Sequence, residues 1–263
     1  MGETMDIGLL PLAAGYALLL FPLAVMLWTR VPMVGGMLMS VARMTVQLLL
    51  VGLYLEFVFR WNNFWLNAAW LVFMIAVADA SILRGCVLKT LRFAGPLFLA
   101  LLAGTAIPLG VFLWVLLDSP HWIDARFAIP IGGMILGNCM RADIVGINQF
   151  YDTLRRNEKP YLLALSQGAR RGEAAQPYLR DAIQAALAPT LATMATIGVV
   201  SLPGMMTGVI LGGADPFVAI KYQMAIMIAI FSGTAITVWL AVMLSLGRAF
   251  DAWGVIRGDS FSK

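Results

Sequence analysis

The sequence has few charged residues and no long polar region. Of its 263 residues, 12% are charged and 61% are hydrophobic, whereas a soluble domain has roughly 25% charged and 45–50% apolar residues. The longest polar stretch, 151–181, covers only about thirty residues, which is too short for a soluble domain of ordinary size. These shortages exclude a soluble enzyme or binding module and predict an integral membrane protein.

The sequence is also poor in cysteine and histidine. Cys86 and Cys139 lack any metal-binding or redox spacing, so a disulfide framework is not expected. His121, the one histidine, follows an apolar run, and no serine in such a run has a histidine partner. Neither a GxxxxGK[ST] loop nor an HExxH motif occurs. We therefore expect a chain that is not an enzyme and that carries no cofactor of its own.

The apolar residues form continuous runs near 20 residues, as in transmembrane helices rather than barrel strands. The predicted fold is all-α and polytopic, with one transmembrane domain over 1–263. About seven spans are predicted, at 7–28, 37–59, 64–83, 95–117, 127–149, 182–201 and 222–247.

The basic residues are distributed unevenly between the two sides of the membrane. With the N-terminus outside, only Arg60, Arg126 and Lys221 are external, and Arg43 and Arg141 fall within spans. The other basic residues then face the cytoplasm, as the positive-inside rule requires. This predicts an external N-terminus and a cytoplasmic C-terminus. It also accounts for the net charge of +4 without a nucleic-acid partner.

The stretch 201–221 interrupts the apolar pattern with glycine, proline and charge. Pro203, Gly204 and Asp215 belong to it, and so do the neighbouring Met205 and Met206. A broken backbone is tolerated in lipid only where it is buried in protein or lines a hydrated cavity. The pattern therefore predicts a gate-like segment on a transport pathway. A connecting or re-entrant loop with a packing role is the alternative.

Polar side chains inside two spans are further pathway candidates. Arg43 and Gln47 stand four residues apart, hence on one helical face; the alternative for Arg43 is that its side chain extends toward the headgroups. Asn138, Arg141 and Asp143 occur halfway or more through the fifth span. Because Arg141 and Asp143 are two residues apart, they are not neighbours on a helix. Each is expected to line a hydrated cavity or to reach the cytoplasm.

The polar stretch 151–181 is predicted to contain a short helix over 161–167, ended by Gly168. Its apolar residues Tyr161, Leu162 and Leu165 favour docking into another protein. The alternative is an amphipathic segment lying on lipid headgroups.

Two kinds of metal ligand are available in the interrupted stretch and near it. Met205 and Met206 offer thioethers for a soft ion, whereas Asp215 and Asn138 offer oxygen ligands for a hard cation. The residues alone do not choose between these ions, and methionine is also a common gap-filler in apolar helices.

Three motifs resemble the FetB-type permeases, a family of bacterial ABC-transporter membrane subunits linked to iron export and related to plant aluminium-tolerance permeases. They begin at Ser40 (SVARMTVQLLLVG), at Ile129 (IPIGGMILGN) and at Ser201 (SLPGMM, followed by Gly208, Gly213 and Asp215-Pro216). The match covers most of the chain from Ser40 onward.

The resemblance implies a homodimer of permease chains in the bacterial cytoplasmic (inner) membrane. It also implies two copies of a separate ATP-binding subunit, on which ATP and Mg bind, and a coupling helix around Leu162–Gly168. The implied function is export of iron or another metal ion. A stand-alone secondary transporter or channel is the alternative; it predicts inverted internal repeats, which are not evident. An intramembrane lipid enzyme lacks a nucleophile or acid–base pair of plausible spacing.

Overall fold

The computed structural model describes residues 8–61, 63–86, 91–116, 124–251 and 254–255. His121 lies outside these residues. In the described part the regular secondary structure is helical, turns and short irregular segments connect the helices, and an isolated backbone bridge pairs Ile197 with Ser201. The α-helices are α1 (Leu9–Ala17), α2 (Leu20–Trp28), α3 (Val34–Trp61), α4 (Phe64–Gly85), α5 (Ala94–Val111), α6 (Ala125–Arg156), α7 (Glu158–Ser166), α8 (Arg171–Thr196), α9 (Gly204–Leu211) and α10 (Pro216–Ala249).

Six helical segments of the described chain are long and apolar enough to cross a membrane, which confirms the polytopic all-α prediction. They are Leu10–Trp28, Val34–Trp61, Phe64–Gly85, Leu91–Val115, Ala125–Arg156 and Pro216–Ala249. The remaining predicted span, 182–201, corresponds to the second half of α8, which ends at Thr196. α8 is less apolar because its first half carries Arg171, Glu173, Arg180 and Asp181. A seventh crossing and the orientation of the chain stay predictions.

Short polar side chains fix where several helices begin. Asn63 and Asp124 accept hydrogen bonds from the backbone N–H of Trp65 and Arg126, at 2.9 and 3.0 Å. Asp215 does the same for Phe217 at 2.7 Å, and Pro216 occupies the first turn of α10. Side-chain acceptors of this kind satisfy backbone N–H groups that have no partner within the helix at its N-terminus. Proline at the first position has no N–H and therefore needs no acceptor.

The chain divides into two compact units, one of 1–61 with 211–214, and the other of 62–210 with 215–263. In the first unit, α2 contacts α3, and the Tyr16 and Thr45 hydroxyls are 2.6 Å apart. Arg60 forms an ion pair with Glu56 at 2.8 Å. Arg43 and Gln47 are both exposed on α3. The single-domain assignment over 1–263 stays a prediction.

In the second unit, α6 and α10 form the centre, and α4, α5 and α8 pack around them. α5 and α10 approach most closely where two glycines meet. A Cβ atom on Gly233 would lie 2.5 Å from the carbonyl oxygen of Gly104. Small residues allow such close backbone approach between membrane helices. Elsewhere, α6 and α10 are joined by a 2.7 Å hydrogen bond from the Tyr151 hydroxyl to Ser245 Oγ.

The interrupted stretch is irregular, as its composition predicts. α8 ends at Thr196, and Gly198 has a φ of +88°, in the left-handed region where glycine is favoured. The eight-residue helix α9 follows, and Gly213, at φ +89°, precedes α10. At 1.5 Å per residue α9 is about 12 Å long, well short of a bilayer.

Candidate functional site

An open groove of about 610 Å³, lined mainly by apolar residues with a few polar side chains, lies among α6, α8, α10 and the segment that follows α8. Small-molecule sites commonly have volumes of roughly 300–1,000 Å³. The groove is lined by Met134, Asn138, Arg141, Ala142, Val145, Ala186, Pro189, Thr190, Thr193, Ile197, Ser201, Pro203, Gln223, Met227 and Ile230. We call this the polar groove. It contains Asn138, Arg141 and Pro203 of the predicted pathway residues.

Asn138 and Arg141 form a connected pair on one face of α6. Arg141 Nη2 donates to Asn138 Oδ1 at 3.2 Å, and Asn138 Nδ2 donates to the Met134 carbonyl at 2.8 Å. The amide is therefore engaged on both sides, and its oxygen is already paired with a guanidinium. This geometry positions Arg141 and makes Asn138 a poor ligand for a hard cation.

Gln223 was not among the pathway residues predicted from the sequence. Its side chain is 6% exposed, and its Oε1 atom has no hydrogen-bond partner. It lines the polar groove and also the neighbouring groove described below. A glutamine inside an apolar span is costly unless it faces a partner or a cavity, and that signal was available in the sequence.

The second groove, of about 480 Å³, adjoins the polar groove through Pro203, Gln223 and Met227. Its lining includes the four methionines Met194, Met206, Met224 and Met227. We call it the methionine groove. Of the two methionines predicted as soft-metal ligands, Met206 lines this groove, whereas Met205 is half-buried against the hydrophobic core.

The other two gate candidates lie in the exposed part of the interrupted stretch. Asp215 is exposed, and one of its carboxylate oxygens caps α10 through Phe217 N–H. Gly204 is exposed at the start of α9. Within the part of the chain that the structure describes, no cluster of three or more His, Cys, Asp or Glu side chains is positioned to hold a metal ion.

Asp143 faces away from Arg141 and does not line either groove. It is completely buried, and its Oδ2 accepts a 2.8 Å hydrogen bond from Thr237 of α10. Its Oδ1 has no hydrogen-bond partner, and the same holds for Oδ1 of buried Asp79 on α4. Asp143 therefore joins α6 to α10 in the helix core rather than lining the cavity for which it was proposed.

Removal of the Thr237 hydroxyl is expected to destabilise this core. In Thr237→Val Asp143 Oδ2 loses its donor, so that neither carboxylate oxygen has a partner among the described residues, at a cost of about 1–3 kcal/mol for an unsatisfied buried group. Thr237→Ser keeps the donor and serves as the matched control. Thermal unfolding of the purified chain in detergent measures the difference, and a valine variant as stable as the serine variant contradicts the assigned role.

The predicted short helix on the polar stretch is present as α7, and Gly168, at φ +94°, follows it. Tyr161 is 1% exposed and packs between Tyr178 of α8 and Phe250, which follows α10, with ring centroids 6.5 and 5.7 Å away. Burial raises the pKa of the Tyr161 phenol, and the nearby Arg171 charge opposes that rise.

The other apolar residues of α7 divide between its two faces. Leu162 and Leu165 are partly buried against the hydrophobic core. Gly254, at φ +83°, lies so close to Leu165 that a Cβ there would come within 2.9 Å of Leu165 Cδ1. Leu163, in contrast, is 59% exposed. Tyr161, Leu162 and Leu165 therefore attach α7 to its own bundle, and Leu163 is its outward-facing apolar residue.

The fold and this groove define a polytopic helical membrane protein with a polar cavity between its helices. The model of the family described as "Uncharacterised protein family (UPF0014)" matches residues 9–250. The chain belongs to this family.

Individual relatives match over most of their length. The chain is 35% identical over 208 residues to the UPF0014 membrane protein slr1647 of Synechocystis, covering 79% of this chain and 80% of the relative. It is 37% identical over 196 residues to Protein ALUMINUM SENSITIVE 3 of Arabidopsis thaliana, covering 73% and 69%. It is 32% identical over 215 residues to the probable iron export permease protein FetB of Escherichia coli, covering 82% of each. No solved structure matches.

These matches confirm the predicted resemblance to the FetB-type permeases and their plant relatives. The chain is accordingly a membrane protein of a family that includes a probable iron export permease.

Proposed function

We propose that this chain is the membrane-spanning permease subunit of an ABC transporter that exports iron or another metal ion. A separate ATP-binding subunit binds ATP and Mg and drives it. Two permease chains form a homodimer in the bacterial cytoplasmic (inner) membrane. Family membership supports the permease assignment, and the printed name of the Escherichia coli relative supports export and iron.

The observation that carries the proposal is the mechanical connection between α7 and the polar groove. Tyr161 of α7 contacts Tyr178 of α8 and Phe250 at the end of α10. α8 and α10 also contribute much of the lining of the polar groove. A force applied to the exposed face of α7 therefore acts on two of the helices that shape the cavity.

This connection gives a route from ATP hydrolysis to transport. Closure of the ATP-binding subunits displaces α7, and α7 moves the ends of α8 and α10 through the Tyr161 contacts. The polar groove then changes between two arrangements whose balance depends on the bound nucleotide. Pro203, Gly204, Met205, Met206 and Asp215 form or adjoin the segment that interrupts the helices beside the groove, and we assign them to the gate.

Arg43 and Gln47 are proposed pathway residues on an exposed face of α3. The metal ligands remain candidates of two kinds. The methionine groove with Met206 suits a soft ion, while Asp215 offers an oxygen ligand to a hard one.

Co-expression with the cognate ATP-binding subunit tests the proposal directly. We expect the two chains to co-purify and, in proteoliposomes, to hydrolyse ATP faster when Fe²⁺ is present and to move the metal in an ATP-dependent manner. The control is the same complex with the phosphate-binding lysine of the ATP-binding subunit replaced by alanine, which removes turnover.

Three outcomes are distinguishable. ATP turnover that does not change when metal is added supports the permease assignment and contradicts a metal substrate. With ATP supplied outside, only transporters whose ATP-binding subunits face outward are active, so export is measured as metal uptake into the vesicle, and ATP-dependent release of preloaded metal contradicts export. Flux from this chain alone, with no partner bound and no dependence on ATP, contradicts the ABC assignment and favours a stand-alone transporter or channel.

A further inference from the structure

The lining of the polar groove has an unusual charge composition for the pathway of a bare cation. Among the described residues that line the groove, Arg141 is the one charged side chain, and none is a carboxylate. A second group of lining residues, Thr190, Thr193 and Ser201, offers hydroxyls. A cation entering this groove meets a positive charge with no acidic group beside it.

Arg141 is exposed on the single chain, but it lies near the middle of α6 rather than at a helix end. It is sixteen residues from Ala125 and fifteen from Arg156, the two ends of α6, so more than about 20 Å of helix extends on either side. Among the described residues Arg141 has no acidic partner; its side-chain contact is the hydrogen bond to Asn138. Arg141 also falls within the predicted span 127–149, and an ionisable residue inside a membrane span is a functional-site hypothesis by default.

The hydrogen bond to Asn138 holds Arg141 in place and uses only one of the five N–H donors of the guanidinium. The remaining donors form a planar fork that matches the two oxygens of a carboxylate or phosphate. Arg141 is therefore a positioned receptor for an oxyanion.

Gln223 provides a hydrogen-bond acceptor at the same groove. Its Oε1 is buried and unpartnered at the wall of the same groove, and a buried acceptor without a donor is rare in native structures. A ligand that satisfies both residues carries an anionic oxygen group for Arg141 and a hydroxyl that donates to Gln223.

We infer that the polar groove binds a small oxyanion that carries a hydroxyl group, of the hydroxycarboxylate class, so that metal crosses as its anionic chelate rather than as a bare ion. The metal part of this inference rests on the proposed function. The anion-binding part rests on the residues that line the groove and does not depend on the proposed function.

Citrate and tricarballylate test the inference as a matched pair, because both have three carboxylates and only citrate has the hydroxyl. Binding to the purified full-length chain in uncharged detergent is measured by calorimetry. We expect citrate to bind about fivefold more tightly than tricarballylate, the effect of one neutral hydrogen bond.

Variants separate the two contacts. Arg141→Gln should weaken the binding of both anions about 10- to 100-fold, as expected for a charged hydrogen bond, and Arg141→Lys should restore part of it. Gln223→Leu should remove the preference for citrate while leaving tricarballylate binding intact. Arg156→Gln, an exposed position at the end of the same helix, is the control and should bind both anions as the wild type does.

Three results overturn the inference. The first is anion binding that Arg141→Gln leaves unchanged, and the second is Fe²⁺ alone binding as tightly as Fe³⁺ citrate. The third indicates a lipid headgroup as the oxyanion: citrate binds in nanodiscs of phosphatidylcholine, and this binding disappears in nanodiscs of phosphatidylglycerol. Citrate binding that persists in both lipids supports a soluble ligand.

The outcome is separable from that of the proposed function. If an ATP-binding subunit co-purifies and metal stimulates its turnover while citrate fails to bind, the inference fails and the permease assignment stands. If citrate binds through Arg141 and no ATP-dependent activity is found, the groove chemistry stands and the proposed function fails.

Discussion

Gly233→Ala is expected to prevent stable packing of α5 against α10. The added methyl group would lie 2.5 Å from the Gly104 carbonyl oxygen and 3.0 Å from Ile135 Cγ2. Because the closest of these atoms belongs to the backbone, a side-chain rotation cannot relieve the clash, and the helices must separate. Overpacking of this kind costs about 3 kcal/mol, which corresponds to a drop in Tm on the order of 10 °C.

Gly247→Ala is the matched control because it lies in the same helix. A Cβ at Gly247 meets no atom within 4 Å, so the substitution should be neutral or stabilise α10 by about 0.5–1 kcal/mol through helix propensity. Thermal unfolding and the yield of monodisperse protein in detergent measure both variants. Equal Tm values for the two alanine variants contradict the close contact between α5 and α10.

The spans were predictable because they depend on composition and length. Apolar runs of about 20 residues locate α3 and α4 to within three residues at each end, whereas the predicted spans for α5, α6 and α10 differ from these helices by six or seven residues at one end. α8 was harder, since a helix whose first half is polar and whose second half is apolar gives a signal at one end only. α9 was predicted as a broken segment but not as a helix, because eight residues carry little periodicity.

The side chains that line the groove could not be assigned from the sequence. The two-residue separation of Arg141 and Asp143 established that they lie on different faces of α6. It did not establish which face is the groove, because that depends on Thr237 of α10, which binds Asp143 from 94 residues away. Only a tertiary contact assigns Arg141 to the cavity and Asp143 to the core.

The orientation of α7 shows the same limit. Its nine residues are apolar on more than one side, and nothing local decides which side faces inward. Tyr178 and Phe250 decide it by packing against Tyr161. The sequence therefore located the helix and its end near Gly168, while a partner contact through Tyr161, Leu162 and Leu165 stays a prediction.

Leu163→Asp is expected to uncouple the permease from its ATP-binding subunit without unfolding it. Leu163 is exposed on the permease alone, so a charge there costs the isolated chain little. In the proposed complex the same side chain enters an apolar contact, and loss of such a central residue costs about 2 kcal/mol or more, a drop in affinity of about 30-fold. Pull-down of the ATP-binding subunit and metal-stimulated ATP turnover measure the effect.

Two further variants distinguish docking from folding. Gln176→Asp adds the same charge at an exposed position of α8 and should leave both binding and turnover unchanged. Leu165→Asp introduces a charge where α7 packs against the core and Gly254, and it should lower the Tm of the permease itself. If Leu163→Asp retains full coupling while Leu165→Asp loses it at an unchanged Tm, the partner contacts the inner face of α7. In that case Tyr161 must leave its position between Tyr178 and Phe250 when the partner binds. α7 then separates from the bundle on binding instead of staying packed against it.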